Sequence, residues 1–402
     1  MKAVVYRGAR NMRVEEVRNP KIQEPRDAII KVTSAAICGS DLHMYEGRTS
    51  MERGRIFGHE ILGVIDEVGD GVEQLKVGDR VSLPFNIACG QCFNCQRGFT
   101  NACLTMNPDP EIAGAAYGYA NMGPYEGGQA QYVRAPYADF NALKLPGEPF
   151  DEFEDDFVLL ADIFPTAHHA THLAGVKPGY SLVIYGAGPV GLLSVMSAQI
   201  RGAYEIYIVD HYISRLELAR ELGAIPIDLE EGNAVDQIKM LRTQSGLIEE
   251  YARPGEEKIA RGVLSGIDAV GYQAHDNEDL SREHHSQILD DLTELVLPTG
   301  QLGIIGVYLP EDPGERGPAA KGSYTLPWGM MWTKGFRIGT GQCPVRMHDL
   351  YLRDEVIGGR AHPGAIVTHH IPIEKAPEMY ERFDRREEGV IKAVINPNGT
   401  DI

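Results

Sequence analysis

Cys89, Cys92 and Cys95 are separated by two residues each, and Cys103 follows in the same short stretch. Each two-residue gap lets the backbone curl around a tetrahedral ion, and four thiolates leave no coordination position open. The spacing therefore predicts a structural zinc rather than a reactive one. An iron–sulfur cluster is the alternative. Against it, the gap to Cys103 is longer than in bacterial ferredoxin runs, and no proline directly follows the fourth cysteine. Unligated core cysteines would account for the same residues only by coincidence of spacing.

A second constellation is dispersed. Cys38 lies in Ile37-Cys38-Gly39-Ser40-Asp41-Leu42-His43, and His59 in Gly58-His59-Glu60, just before an apolar strand-like run. Asp162 is an acid within the apolar Leu159-Leu160-Ala161-Asp162-Ile163-Phe164. A carboxylate buried there is costly unless it meets a cation. Cys, His and Asp together would supply three ligands and leave a fourth position open, the arrangement of catalytic zinc. A helix-capping aspartate and an exposed histidine are the alternative. Ser40 and His43 could pass a proton from a zinc-side oxygen to solvent.

The third motif is Gly186-Ala187-Gly188-Pro189-Val190-Gly191, set between Leu182-Val183-Ile184 and a helical pattern. The glycines permit a tight turn, a close backbone approach to a pyrophosphate, and packing of helix on strand, with the helix N-terminus facing the anion. Gly186, Gly188, Pro189, Val190 and Gly191 are thus candidate cofactor contacts. Glu205-Ile206-Tyr207-Ile208-Val209 ends at Asp210, at the distance where an acid accepts from ribose hydroxyls and repels a 2′-phosphate. This favours NAD over NADP. Arg215, early in the next helical segment, is assigned with Asp210 to the cofactor.

These residues need a scaffold of two kinds. Residues 1–145 read as short strands with turns, a β-rich domain, and 178–340 alternate strand and helix as in a doubly wound parallel sheet. Residues 157–175 read as helix broken at Pro165, and 363–402 return to short strands. Two polar stretches, 229–262 and 272–287, interrupt the alternation, the second at the ligand edge of the sheet. With 402 residues the chain exceeds one ordinary core. Its net charge of −19 and lack of a basic stripe argue against a nucleic-acid partner. No apolar run is long enough for a membrane span, and the start lacks the apolar core of a signal peptide, so a cytoplasmic location is expected.

On the four-cysteine loop, Gly-His-Glu, Pro84-Phe85-Asn86-Ile87-Ala88, Asp162-Ile163-Phe164-Pro165-Thr166 and Gly306-Val307-Tyr308, the chain resembles the zinc-dependent medium-chain dehydrogenase/reductases. Within them it is most similar to the glutathione-independent formaldehyde dehydrogenases and aldehyde dismutases. The resemblance implies an α/β fold: a GroES-like catalytic domain over 1–165 and 341–402, and a Rossmann domain over 166–340. It implies catalytic zinc on Cys38, His59 and Asp162, with Glu60 as a nearby alternative ligand, and structural zinc on Cys89, Cys92, Cys95 and Cys103. It also implies Phe85 and Tyr125 as walls of the substrate pocket, a cover over the adenine side of NAD from 272–287, and a homotetramer. The activity implied is NAD-linked oxidation of a small aldehyde, formaldehyde to formate, with dismutation to acid plus alcohol if NADH stays bound. Its rivals are a zinc alcohol or polyol dehydrogenase and a non-catalytic zinc- and nucleotide-binding regulator. Three features depart from the subgroup: a longer insertion at 240–262, His168 and His172, and Cys343 in place of a threonine. The two histidines are read as lining an exposed turn, and Cys343 as a buried non-ligand.

Overall fold

The computed structural model describes residues 1–244, 256 and 261–399. Of the polar stretch 229–262, residues 245–255 and 257–260 lie outside the described residues, and Ala234–Gln244 forms a helix. The chain divides into two units, Met1–Pro165 with Cys343–Ile402, and Thr166–Gln342.

The first unit is built on Ala28–Ala36, an apolar, β-branched strand buried along almost its whole length. Buried on both faces, it acts as the centre of its sheet. It pairs antiparallel with Glu60–Val68, Tyr132–Ala135 and Ala393–Asn396. Glu60–Val68 continues the sheet to Arg80–Leu83 and then Leu143–Lys144. Ile30, Val32, Ile61, Ile65, Val81 and Leu83 form one core, and the four-cysteine loop packs against it.

The register of this sheet assembles residues far apart in sequence. Ala36 pairs with Glu60, so Cys38 and His59 leave adjacent strand ends side by side. Val394 also pairs with Ala36, and the Ile37 amide donates to the Ala393 carbonyl, which brings Lys392 to the same place. The Phe85 amide donates to the Ala161 carbonyl, fastening the turn before Asp162. Here the expected helix is divided differently. Glu154–Val158 and a 3₁₀ turn at Leu159–Ala161 end at Asp162, whose φ of −148° is not helical, and Ile163–Leu173 then starts afresh. Pro165 falls in that helix's first turn, where its missing N–H costs nothing, so the break is at Asp162 instead.

The second unit is a parallel sheet in the order Ile225–Asp228, Glu205–Asp210, Ser181–Tyr185, Val263–Asp268, Val296–Ile304, Arg337–Thr340. That order reverses between Ser181–Tyr185 and Val263–Asp268, and ligands of such sheets bind outside the carboxyl ends at this point. Helix Gln287–Leu295 buries Ile288, Leu289, Leu292 and Leu295, a stripe at helical spacing. No helix among the described residues is long and apolar enough to cross a membrane.

The histidines of Ile163–Leu173 are not all at an exposed turn. His172 is exposed, but His168 is buried and its Nε2 lies 2.9 Å from the Arg201 guanidinium. His169, between them in sequence, stacks on His172. Burial, then the charges of His172 and Arg201, push the His169 pKa down to about 4. Unfolded, this ring takes its proton near pH 6.5; folded, it resists until about 4. The stability it confers is present above pH 6.5 and lost as pH falls toward 4, by up to roughly 3 kcal/mol. Thermal melts from pH 7 to pH 5 should therefore show a smaller fall in Tm for His169→Gln than for the native chain.

Candidate active site and metal centres

Cys38 Sγ lies 3.5 Å from Asp162 Oδ2, and His59 Nε2 lies 3.2 Å from the same oxygen. Ser40 Oγ is 3.3 Å from both Cys38 Sγ and His59 Nε2. Glu60 belongs to the same cluster, with all four ligand atoms within 4.8 Å of one another and all four residues buried. Ligands about 2.0–2.3 Å from a tetrahedral zinc stand roughly 3.3–3.8 Å apart, so thiol, imidazole and carboxylate fit one ion. The electrostatics point the same way. Burial, then the carboxylates of Asp162 and Glu60, push the Cys38 thiol above its ordinary pKa. Burial opposes protonation of His59, but Asp41, Asp162 and Cys38 outweigh it and hold its pKa well above the ordinary value. A buried set of anionic donors around one imidazole is what a cation would relieve.

Two supporting groups were not singled out from the sequence. Asp41 is fully buried; its Oδ1 lies 3.2 Å from His59 Nδ1, and its Oδ2 accepts from the Cys38 amide and the Tyr380 hydroxyl. A carboxylate behind the distal ring nitrogen orients a metal-binding histidine and leaves Nε2 for the ion. Asp41 lies in the quoted Cys38 stretch, but nothing in its spacing distinguishes it from a helix-start acid. Lys392 is fully buried and donates from Nζ to Glu60 Oε1 at 2.7 Å and to the Ile37 carbonyl at 2.8 Å. Burial disfavours its charge, yet Glu60 raises its pKa. The other oxygen, Glu60 Oε2, has no hydrogen-bond partner among the described residues.

Ser40 and His43 share helix Gly39–Tyr45, three residues apart and hence on one face. His43 is buried, not at the surface. The His59 ring meets Phe85 and Tyr119 edge-on, with centroids 6.1 and 6.3 Å away. Burial raises the Tyr119 hydroxyl pKa to about 12, so it stays protonated. Tyr125 is elsewhere: its hydroxyl donates to the Met106 carbonyl and its ring packs on the core beside the four cysteines. The structure thus puts Phe85 and Tyr119 beside His59, and Tyr125 in the cysteine lobe. Tyr117 and Tyr119 alternate with Gly118 in a turn, and only the tertiary path decides which tyrosine faces the histidine.

Cys89, Cys92, Cys95 and Cys103 form a separate cluster, with Sγ separations of 4.0 Å for Cys89–Cys95, 3.4 Å for Cys92–Cys95 and 3.8 Å for Cys92–Cys103. Four thiolates about 2.3 Å from one zinc stand near 3.8 Å apart, so this set also fits. The amides of Gln91 and Cys92 donate to Cys89 Sγ, and that of Leu104 to Cys92 Sγ. Burial opposes ionisation of Cys92, but donation from the Leu104 and Cys95 amides and neighbouring thiols brings its pKa to about 6. Cys343 is buried with Phe85, Ala116 and Val345, away from both sets of thiols in sequence.

In the second unit, strand Ser181–Tyr185 turns at Gly186, with φ of +94°, and helix Pro189–Ile200 starts with Gly188 as its N-cap and Pro189 first. A Cβ on Gly191 would sit 1.7 Å from the Gly186 carbonyl oxygen, and one on Gly186 would sit 2.6 Å from Val270. A Cβ on Gly188 would meet nothing within 4 Å. Gly191 and Gly186 are therefore required by packing, whereas Gly188 keeps open the space before the helix N-terminus. Val190, in the first turn, lends its carbonyl to the Ser194 hydroxyl. Asp210 is buried at the end of Glu205–Asp210; Oδ2 accepts from the Ala187 amide and Oδ1 from the amides of His211 and Tyr212. Arg215 Nη1 stands 3.7 Å from Asp210 Oδ2 and its guanidinium lies over the Tyr212 ring. Asp268, at the neighbouring strand end, is buried and accepts from the Tyr308 hydroxyl.

Comparison with known proteins agrees with this geometry. Residues 24–147 match the alcohol dehydrogenase GroES-like domain. Glutathione-independent formaldehyde dehydrogenase of Pseudomonas aeruginosa is 39% identical, over 99% of this chain and 98% of its own. The chain belongs to the zinc-dependent medium-chain dehydrogenase/reductases. Formaldehyde dismutase of Pseudomonas putida is 36% identical over 99% of this chain and 98% of its own. Among solved structures, an alcohol dehydrogenase from Thermus sp. ATN1 superposes with a TM-score of 0.80 at 32% identity, covering 98% of this chain and 99% of that one. As a member of this family the chain is an oxidoreductase, with the GroES-like and parallel-sheet parts of the family fold.

The glycine geometry separates two effects. Gly191→Ala should lower the Tm sharply, because its clash is with backbone. Gly188→Val should melt like the native chain while weakening dinucleotide binding at least tenfold, about 1.4 kcal/mol, as measured by cofactor fluorescence titration.

Proposed function

We propose that the protein catalyses NAD-linked, glutathione-independent oxidation of a small aldehyde through its hydrate, with formaldehyde going to formate. The observation that carries this is the buried Cys38–His59–Asp162 cluster, three donors at ligand spacing, in a chain 39% identical to a formaldehyde dehydrogenase. Cys38, His59 and Asp162 would hold a catalytic zinc, which supplies Lewis acidity toward a substrate oxygen. Cys89, Cys92, Cys95 and Cys103 would hold a structural zinc.

The chain's own residues then divide the work. Asp41 holds His59 in the tautomer that presents Nε2. Lys392 restrains Glu60, so that this carboxylate stays an alternative ligand rather than a permanent one. Ser40, touching the donor atoms of both Cys38 and His59, takes the hydroxyl proton of the substrate and passes it toward His43. Phe85 and Tyr119 restrict the space beside His59 and exclude water. The nicotinamide cofactor would supply the hydride acceptor for the hydrate carbon, and Ser40 would take the hydroxyl proton, so that the substrate leaves as the carboxylic acid. Gly186, Gly188, Pro189, Val190 and Gly191 receive the pyrophosphate at the helix N-terminus. Asp210, with Arg215 beside it, takes the adenosine ribose, and its charge disfavours a 2′-phosphate. Were the reduced cofactor retained, the net chemistry would become dismutation of aldehyde to acid plus alcohol.

We further propose a cytoplasmic homotetramer. The sheet of the second unit ends in the exposed edge strand Arg337–Thr340, and Trp328, Met330 and Trp332 are exposed nearby in sequence. Such a surface suits association between copies.

A panel of short aldehydes and alcohols without glutathione, following NADH and both carbon products, tests the activity. Formate with equal NADH supports the dehydrogenase, and formate with equal methanol the dismutase. Turnover of secondary alcohols alone would replace both with an alcohol dehydrogenase. Metal analysis should find two zincs per chain. Cys38→Ser should retain one and lose at least 10³-fold in kcat/KM, about 4 kcal/mol of transition-state stabilisation. Tyr119→Ala should raise relative kcat/KM for longer aldehydes, with the zinc content unchanged.

A further inference from the structure

The polar stretch 272–287 follows strand Val263–Asp268, and the Pro/Gly-rich loop 310–325 follows strand Val296–Ile304, both in the second unit. These loops meet through side chains that the proposed chemistry does not use. The ligand atoms of Glu283, His285 and Glu315 lie within 4.8 Å of one another. We propose that these three residues form a third metal site, for a divalent transition cation, which clamps the two loops together at the ligand edge of the parallel sheet.

The backbone prepares the site from both sides. His275 pairs antiparallel with Glu283, and the amides of Asp276 and His284 donate to the carbonyls of Arg282 and Ala274. This short ladder is closed at its tip by the Arg282–Asp276 ion pair. In the other loop, Asp312 accepts from the Gly314 amide through its carboxylate and from the Glu315 amide through its carbonyl. Glu315 Oε2 takes the Arg316 amide, while Oε1 faces His285 Nε2 at 3.8 Å.

A further contact bears on metal binding and comes from outside the cluster. His285 Nδ1 is hydrogen-bonded to the Tyr272 carbonyl. That contact occupies Nδ1 and leaves Nε2 as the ring nitrogen that faces the Glu315 carboxylate. Metal-binding histidines are held in this way, with the distal N–H on a carbonyl or carboxylate. Ligands about 2.1 Å from one ion stand roughly 3–4.2 Å apart, which includes the His285–Glu315 separation. One imidazole and two carboxylates, with no thiol, suit a hard divalent cation such as Mn²⁺. All three residues are half-buried, so an ion can enter from solvent.

The test is Mn²⁺ titration of the zinc-loaded enzyme, since thiolate sites retain zinc and select against Mn²⁺. Electron paramagnetic resonance should show saturable binding of one Mn²⁺ per chain, with pulsed spectra showing modulation from a single imidazole nitrogen. His285→Ala should abolish the nitrogen signal. Glu283→Gln with Glu315→Gln should weaken binding at least tenfold, and Glu221→Gln with Glu231→Gln, two exposed acids of the same unit, should leave it unchanged. Absence of saturable binding, binding without nitrogen modulation, or equal weakening by the control pair would overturn the proposal. Retained content of two zincs and unchanged circular dichroism guard against misfolding of the variants. The readout is metal binding itself, so its failure is distinct from failure of the proposed aldehyde oxidation.

Discussion

The antiparallel register of Ala28–Ala36 against Glu60–Val68 is the constraint on which the first unit depends. Pairing of Ala36 with Glu60 sets Cys38 beside His59, and pairing of Ala36 with Val394 adds Lys392 from the far end of the chain. A slip of one residue would turn Glu60 and its neighbours to the opposite face, so the buried donor set and the register require each other. The apolar strand faces pay for that register, since Ile30, Val32, Ile61 and Ile65 reach the core only in this pairing.

The donor set is costly without a cation. Cys38, His59, Glu60 and Asp162 are buried together; burial, then Asp162 and Glu60, raise the thiol pKa, while Asp41, then Asp162 and Cys38, raise that of the imidazole against the effect of burial. Asp41 and Lys392 offset part of the cost, one by accepting from the Cys38 amide and lying against His59, the other by neutralising Glu60. The four-cysteine lobe answers the same problem locally, with thiolates inside one loop and backbone amides turned onto sulfur.

The second unit separates packing from binding within a single motif. Gly186 and Gly191 are demanded by contacts with Val270 and with the turn itself, while only Gly188 leaves space outside the sheet. Asp210 is anchored by three backbone amides, so its carboxylate is already placed rather than recruited. The two loops beyond Val263–Asp268 and Val296–Ile304 extend the same edge, and Glu283, His285 and Glu315 connect them.

Motifs whose chemistry is local were legible in the sequence. The four-cysteine loop, the glycine turn and the alternating strands and helices need only neighbours a few residues away, because thiol spacing, φ > 0 and hydrophobic period are properties of short segments. Cys38, His59 and Asp162 could be named as candidates, yet their convergence depends on strand register and on the break at Asp162, which a helix broken at Pro165 would have misplaced. Tyr119 rather than Tyr125 beside His59, the burial of His168, and the Lys392–Glu60 pair were decided only by tertiary structure. The physical reason is common to all of them. Which face a side chain presents, and which charge it meets after hundreds of intervening residues, is set by packing of the whole sheet and leaves no mark on local residue type or spacing.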